Sequence, residues 1–174
     1  WQNKIEADFI SSHQPELLIS YNYRYIIRPD VISLMSDRII NLHISYLPWN
    51  RGAYPNVWSF LKDTPKGVTI HLIDEGLDTG DILYQEKIEF NEAKETLASS
   101  YSRLHEKIYN LFIENWEQIK NFKWNRKKQI GSGSINYVKD FERIAHLISD
   151  LNWDTPISTL KQKYNKLIEG DKRA

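Results

Sequence analysis

The stretch Arg38-Ile39-Ile40-Asn41-Leu42-His43-Ile44-Ser45-Tyr46-Leu47-Pro48 decides the fold of this chain. Its first five residues form a short, mainly apolar run that predicts a buried strand. An equivalent run, Leu17-Leu18-Ile19, comes earlier, and residues 29–35 between the two predict a short helix. A strand, a helix and a strand with short connections are typical of a βαβ unit in a parallel sheet. We therefore predict an α/β fold with a mostly parallel sheet.

Apolar periodicity predicts further elements on both sides of this unit. Two apolar runs that follow it indicate strands, and the Gly- and Asp-rich segment 74–81 joins them. A later stretch carries one apolar residue every three or four positions, which is the pattern of a long amphipathic helix. The additional elements predicted are helices at 5–10, 54–62 and about 96–119, and strands at 67–73 and 82–88.

The regular pattern breaks after Lys120. Residues 120–140 contain an aromatic residue, Trp124, the basic cluster Arg126-Lys127-Lys128 and a Gly-Ser-rich turn. These features predict an exposed β-hairpin beside the functional cleft or at a subunit contact, with a solvated linker as the alternative. Two short helices are predicted at about 140–151 and 156–168.

The predicted elements divide the chain into two parts. Residues 1–119 form a core, and residues 120–174 form a hairpin and a small helical extension. A doubly wound core normally begins with a strand, whereas this chain begins in a predicted helix. We therefore expect the core to be incomplete at its N-terminus and to lack its first strands.

Composition and charge exclude several classes of function. The chain has 174 residues with 41% hydrophobic residues, which is enough for one domain with a real core. Its 23 basic and 23 acidic residues balance, so no electrostatic argument favours a nucleic-acid or membrane partner. The absence of cysteine excludes disulfides, thiolate zinc sites and cysteine nucleophiles, and fits a cytoplasmic protein.

Two segments carry side chains suited to chemistry. Asn41 and His43 lie two residues apart at the end of a predicted strand, so both project from the same face. An amide and an imidazole there can stabilise an oxyanion and move protons. The loop from Asp74 to Asp81 adds four acidic residues. On residue types alone, ordinary loop polar residues and an ordinary turn stay open as alternatives.

The spacing of the histidines does not support metal binding. No two of the five histidines are placed as metal ligands usually are, so we expect no metal site. The acidic loop also lacks the even ligand spacing of a calcium-binding EF-hand.

The order Asn-x-His, Leu-Pro, Arg-Gly and Asp-Glu-Gly-Leu-Asp-Thr-Gly resembles the signature of folate-dependent formyltransferases. The matching residues run from Leu17 to Gln85, and a weaker similarity continues to about Ile119. The resemblance implies a Rossmann-like core and transfer of a formyl group from 10-formyltetrahydrofolate, without a metal. The family includes glycinamide ribonucleotide, methionyl-tRNA and sugar-nucleotide formyltransferases.

The resemblance also implies a role for individual residues. Asn41 and His43 would bind the formyl oxygen and stabilise the oxyanion. Asp78 would pair with His43 and assist proton removal from the attacking amine. The pterin slot of the family corresponds to residues after the first strand and before Asp78, namely Tyr25, Ile26, Ile27, Ile32, Ile73, Asp74 and Leu77.

The stretch from Leu47 to Ser59 looks closest to sugar-nucleotide N-formyltransferases. There Trp49 would offer an aromatic wall to a pyranose, and Arg51 would hold a phosphate or an acidic loop. The implied partner is a small-molecule nucleotide-linked amino-sugar, and a homodimer is left open. One alternative is a methionyl-tRNA formyltransferase, whose C-terminal β-barrel does not fit the helical pattern of residues 120–174. Others are hydrolysis of 10-formyltetrahydrofolate and a non-catalytic binding module that retains the fold.

Overall fold

The computed structural model of the chain describes residues 3–149 and 152–171. Helices and strands alternate through the first two thirds, and helices dominate the remainder. In chain order the elements are α1 (Ala7–His13), β1 (Leu18–Ser20), α2 (Pro29–Met35), β2 (Ile39–His43), β3 (Arg51–Gly52), α3 (Pro55–Leu61), β4 (Gly67–Leu72), β5 (Ile82–Lys87), α4 (Leu97–Glu114), α5 (Trp116–Lys120), β6 (Ile135–Asn136), α6 (Val138–Glu142), α7 (Ala145–Ser149) and α8 (Ile157–Asp171).

The main sheet has the strand order β1-β2-β4-β5. Strands β1 and β2 are parallel, as the βαβ pattern predicts, and Ser20 lies opposite Asn41. The α/β fold is confirmed, but the expectation of a mostly parallel sheet is corrected, because β4 runs antiparallel to both β2 and β5.

The antiparallel pairings follow from the connections. Residues 73–81 between β4 and β5 are too few for the crossover that a parallel pair needs. Helix α3, which lies between β2 and β4, packs on α8 and α4. The chain therefore enters β4 beside the end of β2, where His43 lies opposite Thr69.

Helix α4 covers one face of the sheet and completes the first apolar core. Thr96 accepts from the Ser99 N–H and Ser99 accepts from the Thr96 N–H, so a capping box fixes the start of the helix. Leu104 and Ile108 are fully buried against Ile70 and the other core residues of the sheet. This single apolar stripe is why the long helix could be predicted, although it ends at Glu114 and α5 continues from Trp116.

A second core cluster joins α3 to the C-terminal helices. Trp58 and Phe60 of α3 are buried with Ile144, Ile157 and Leu160. Residues on both sides of the predicted boundary at 119 therefore share one cluster. The predicted helix at 156–168 corresponds to α8, while the one at 140–151 is two short helices, α6 and α7, and its last residues lie outside the described part of the chain.

Residues 120–140 contradict the prediction of a β-hairpin. Instead of pairing with itself, the segment pairs with other strands: Lys127 bridges Ile82, and β6 runs parallel to β3. The edges of β5 and β3 supply main-chain partners that a hairpin would otherwise have to provide. Trp124 is half-buried against the first core cluster and is not an exposed aromatic residue.

Two residues of the basic cluster pair with acids. Arg126 forms an ion pair with Asp37 at 2.6 Å, and Lys128 forms one with Asp81 at 2.9 Å. The segment is therefore fastened to the body of the protein by charge as well as by backbone pairing. Across residues 3–149 and 152–171, no helix combines the length and the apolar character needed to cross a bilayer.

Candidate active site

The structure brings Asn41, His43 and Asp78 into one cluster. Asn41 and His43 project from β2, and Asp78 lies in the loop between β4 and β5. The Asn41 amide donates a hydrogen bond to Asp78 Oδ1 at 3.2 Å, and His43 Nδ1 lies 3.7 Å from Asp78 Oδ2. The Gly52 N–H of β3 donates to Asp78 Oδ2 at 2.8 Å. Two separate parts of the chain, β2 and β3, therefore contact one carboxylate in a third.

The acidic loop is shaped by its own side chains. Asp74 Oδ1 accepts hydrogen bonds from the Gly76 N–H at 3.1 Å and from the Thr79 hydroxyl at 2.6 Å. Asp78 has a left-handed backbone, φ 52°, which an aspartate tolerates better than most residues do. At Gly80 a Cβ atom would lie 1.8 Å from the Leu72 carbonyl oxygen, so the loop returns to the sheet only with glycine there.

A second histidine, which the sequence reasoning missed, belongs to the cluster. His71 lies in β4 directly opposite Asn41, and its Nε2 atom is 3.4 Å from Asp78 Oδ1. Asn41 Nδ2 also lies 3.2 Å from this nitrogen, while His71 Nδ1 faces the Leu72 carbonyl at 2.8 Å. The available signal was a histidine inside an otherwise apolar strand, but only the strand register places it at the site.

Burial and neighbouring groups act in opposite directions on the charge of Asp78. Burial alone would raise the pKa of this carboxyl, but His43, His71 and the Gly52 N–H together hold it well below its ordinary value. The side chain is 13% exposed. Asp78 is therefore a carboxylate at neutral pH.

The His43 imidazole is buried and neutral. Burial lowers the pKa of His43, and the negative charge of Asp78 opposes this only in part. A neutral imidazole has one N–H, yet His43 faces two acceptors, the Asn50 carbonyl at 3.3 Å and Asp78 at 3.7 Å. Protonation would satisfy both, so the ring is placed to accept a proton and to stabilise the resulting charge.

Asn50 owes its position to a buried polar network. Its side-chain amide donates to Thr64 Oγ1 at 2.6 Å, and its backbone N–H donates to Ser134 Oγ at 2.8 Å. Ser134 belongs to the segment that replaces the predicted hairpin. This segment therefore lies beside the cluster and fixes the carbonyl that His43 faces.

The residues predicted to line the folate slot divide into buried and open side chains. Ile27, Ile32 and Ile73 contribute to a third apolar cluster that also contains α1 and α2. Ile27 is buried, so only its main chain is left to face a ligand. Ile26 is 81% exposed, an unusual position for a large apolar side chain. Of the others, Tyr25 and Leu77 are half-buried and Asp74 is exposed.

The two residues predicted to contact the acceptor lie on the chain just before and within β3. Trp49 is half-buried. The Arg51 guanidinium donates from Nε and Nη2 to the side-chain oxygen of Gln129, at 3.0 and 2.7 Å. Arg51 therefore already has a protein partner on one edge of its guanidinium. Over the part of the chain that the structure describes, no three His, Asp or Glu side chains are grouped as metal ligands.

Comparison with known proteins identifies the family. The formyl transferase family model matches residues 2–115. The crystal structure of the formyltransferase PseJ from Anoxybacillus kamchatkensis, in complex with UDP-4,6-dideoxy-4-formamido-L-AltNAc and tetrahydrofolate, is 47% identical. It superimposes with a TM-score of 0.86 over 92% of this chain and 84% of that chain.

Curated relatives include both sugar and tRNA enzymes. The dTDP-4-amino-4,6-dideoxyglucose formyltransferase of Mycobacterium bovis is 36% identical over 66% of this chain and 48% of its own length. The methionyl-tRNA formyltransferase of Thermodesulfovibrio yellowstonii is 31% identical over 92% of this chain and 56% of its own length. The chain thus spans about half the length of these relatives. With a family model over most of its length and the Asn41, His43 and Asp78 side chains in one cluster, the chain belongs to the formyl transferase family.

Proposed function

We propose that the protein transfers a formyl group from 10-formyltetrahydrofolate to the amine of a nucleotide-linked amino-sugar. The observation that carries this proposal is the cluster in which Asn41, neutral His43 and ionised Asp78 meet. An amide donor, a base and a fixed anion are the groups that acyl transfer to an amine requires.

The folate supplies an activated formyl carbon. Asn41 donates a hydrogen bond to the formyl oxygen as negative charge develops there. In the free protein the Asn41 amide donates a hydrogen bond to Asp78 Oδ1, and this bond is exchanged for one to the formyl oxygen.

His43 and Asp78 handle the proton of the amine. When the amine nitrogen bonds to the formyl carbon it becomes positively charged and must lose a proton. His43 accepts this proton directly or through water, and Asp78 stabilises the imidazolium across 3.7 Å. The protonated ring then donates this proton to the leaving folate nitrogen as the carbon–nitrogen bond to folate breaks and the oxyanion becomes a carbonyl again.

The side chains predicted to line the folate and acceptor sites suit these ligands. The exposed Ile26 is an apolar surface of the kind that a pterin ring would cover. Trp49 offers a half-buried indole close to His43 in the chain, and Arg51 adds a cation. Two of the relatives named above support this acceptor class: PseJ was crystallised with a UDP-linked formamido sugar, and the Mycobacterium bovis enzyme is a dTDP-amino-sugar formyltransferase.

Methionyl-tRNA formylation is the second candidate, because the tRNA-formylating relative aligns with 92% of this chain. The charge of the chain favours the sugar, since its basic and acidic residues balance and Arg126 and Lys128 are paired with acids.

A homodimer and a cytoplasmic location stay predictions.

A direct assay separates the candidates. The purified protein is given 10-formyltetrahydrofolate with UDP- or dTDP-linked 4-amino-sugars or with methionyl-tRNA, and release of tetrahydrofolate is followed together with the mass of the product. Formylation of a sugar supports the proposal. Formylation of the tRNA with every sugar untouched overturns the acceptor, and folate hydrolysis without any formylated acceptor overturns the transfer reaction.

A further inference from the structure

The side chain of Gln129 uses its full hydrogen-bonding capacity in the described structure. Its oxygen accepts two hydrogen bonds from Arg51, and its amide nitrogen donates two, to the main-chain carbonyls of Asp78 at 2.8 Å and Gly80 at 2.9 Å. An amide group has two donor hydrogens and two acceptor lone pairs, so all four are occupied. A half-buried glutamine with four partners is held in one orientation.

These four bonds join the two segments that hold the catalytic carboxylate. Arg51 immediately precedes Gly52, whose N–H donates to Asp78 Oδ2. The two carbonyls belong to Asp78 itself and to Gly80, the residue at which the acidic loop returns to the sheet. Gln129 therefore connects β3, whose Gly52 N–H donates this hydrogen bond, to the loop that carries Asp78, whose carboxylate accepts it.

The main chain beside Gln129 is anchored independently. Lys127 exchanges two backbone hydrogen bonds with Ile82, at 2.8 and 2.9 Å, and Lys128 forms an ion pair with Asp81. Since Ile82 begins β5, the main chain two residues before Gln129 is paired with the edge of the sheet. The Gln129 side chain therefore links the acidic loop to that edge.

The Asp78 backbone needs such support. Its φ of 52° lies in the left-handed region, which costs free energy for a residue other than glycine. The loop's other acids are bonded elsewhere, Asp74 to Gly76 and Thr79, and Asp81 to Lys128. The carboxylate itself accepts from the Gly52 N–H at 2.8 Å and the Asn41 amide at 3.2 Å, whereas the main-chain carbonyls of Asp78 and Gly80 are held by Gln129.

We propose that Gln129 is a positioning residue, which aims the Asp78 carboxylate at His43 by holding the main-chain carbonyls of the acidic loop. This inference rests on the proposed function for its kinetic consequence, while its structural consequence is independent of any substrate. Gln129 contacts no reacting group itself; it acts through Asp78.

Two substitutions separate the bonds to the loop from the bonds to Arg51. Gln129→Glu keeps an acceptor for Arg51 and removes both donors to the loop, whereas Gln129→Met removes all four bonds at similar length. Both variants are expected to lower kcat for formyl transfer about 10- to 100-fold, with the acceptor KM changed by less than about threefold. Wild-type turnover in Gln129→Glu with loss in Gln129→Met would assign the residue to anchoring Arg51 and overturn the proposal.

The same exchanges at Gln118, which is exposed on α5, provide matched controls, and their turnover is expected to equal that of the wild type. Amide hydrogen exchange gives a readout that needs no activity. The Gly52 amide is expected to exchange at least tenfold faster in Gln129→Glu, which keeps the acceptor for Arg51, because the Asp78 carboxylate that accepts from Gly52 is no longer fixed. Unchanged Gly52 protection in both variants would overturn the proposal even if the protein formylated none of the acceptors offered.

Discussion

Replacing Asp78 by asparagine tests the centre of the proposed mechanism. The exchange keeps the size of the side chain but removes its charge. It also puts an NH₂ group where a carboxylate oxygen now accepts from either the Gly52 N–H or the Asn41 amide. One donor then faces another donor, and His43 loses the anion that stabilises its protonated form.

The distance between the two groups sets the expected magnitude. Unit charges separated by 3.7 Å attract by about 4 kcal/mol at an effective dielectric constant of about 20. If His43 carries a full positive charge in the transition state, losing most of this attraction slows formyl transfer by about 10³-fold. That value lies within the range of about 10²–10⁴ for general acid–base catalysis.

The assay is the pH dependence of kcat/KM for formyl transfer, with the His43 ring titrated by NMR. Because Asp78 raises the pKa of His43 against the larger effect of burial, its neutralisation lowers that pKa further, and the acid limb moves to lower pH. Asp37→Asn, which removes the surface partner of Arg126, is the charge-matched control and is expected to keep wild-type kinetics. Turnover of Asp78→Asn within about threefold of wild type, with an unmoved acid limb, would refute the reasoning.

Three further predictions concern stability. Leu104→Ala, which empties a fully buried position in the first core cluster, is expected to lower the free energy of unfolding by about 2–5 kcal/mol in a urea titration; a loss below about 1 kcal/mol would contradict the packing of α4. Gly80→Ala places a Cβ atom 1.8 Å from a main-chain oxygen, so it is expected to lower the melting temperature and the activity together. Gly170→Ala is the control, because Gly170 has open space around it in α8; it is expected to leave both unchanged or to raise stability slightly. Since the pKa of Asp78 is held below its ordinary value, the carboxylate contributes fully to stability above about pH 4, and this contribution is lost as the pH falls further. Asp78→Asn should remove this part of the acid dependence. If the urea midpoints of both proteins, each compared with its value at pH 7, changed equally between pH 5 and pH 2, that contribution would be excluded.

Local patterns in the sequence are enough to predict the elements around the candidate site. The apolar runs at 17–19 and 38–42, the helix between them and the long stripe of α4 depend on neighbours within a few turns or a few residues of strand. Asn41 and His43 share a face because strand residues alternate. The Gly-rich acidic segment is typical of a tight return between two strands, and it is one.

Such local patterns cannot predict contacts between residues that are distant in the chain. Helix α3, which connects β2 to β4, packs in one cluster with Ile144, Leu147, Ile157 and Leu160, residues far from it in the chain. The expected hairpin at 120–140 had suitable turn residues, but the edges of β5 and β3 offered better partners, since a hairpin alone is only marginally stable.

The sequence by itself determined that this chain forms an α/β core with an amide, an imidazole and a set of carboxylates near the end of a strand. The family resemblance singled out Asp78 as the carboxylate that pairs with the imidazole. Only the tertiary structure decided that His71 joins them and that Gln129 bonds to both Arg51 and the loop. The hydrogen bonds responsible join residues 26 to 78 positions apart in the chain. They form because apolar packing brings β2 and β4 together, while main-chain pairing adds β3 and the 127–136 segment, and no local periodicity encodes that convergence.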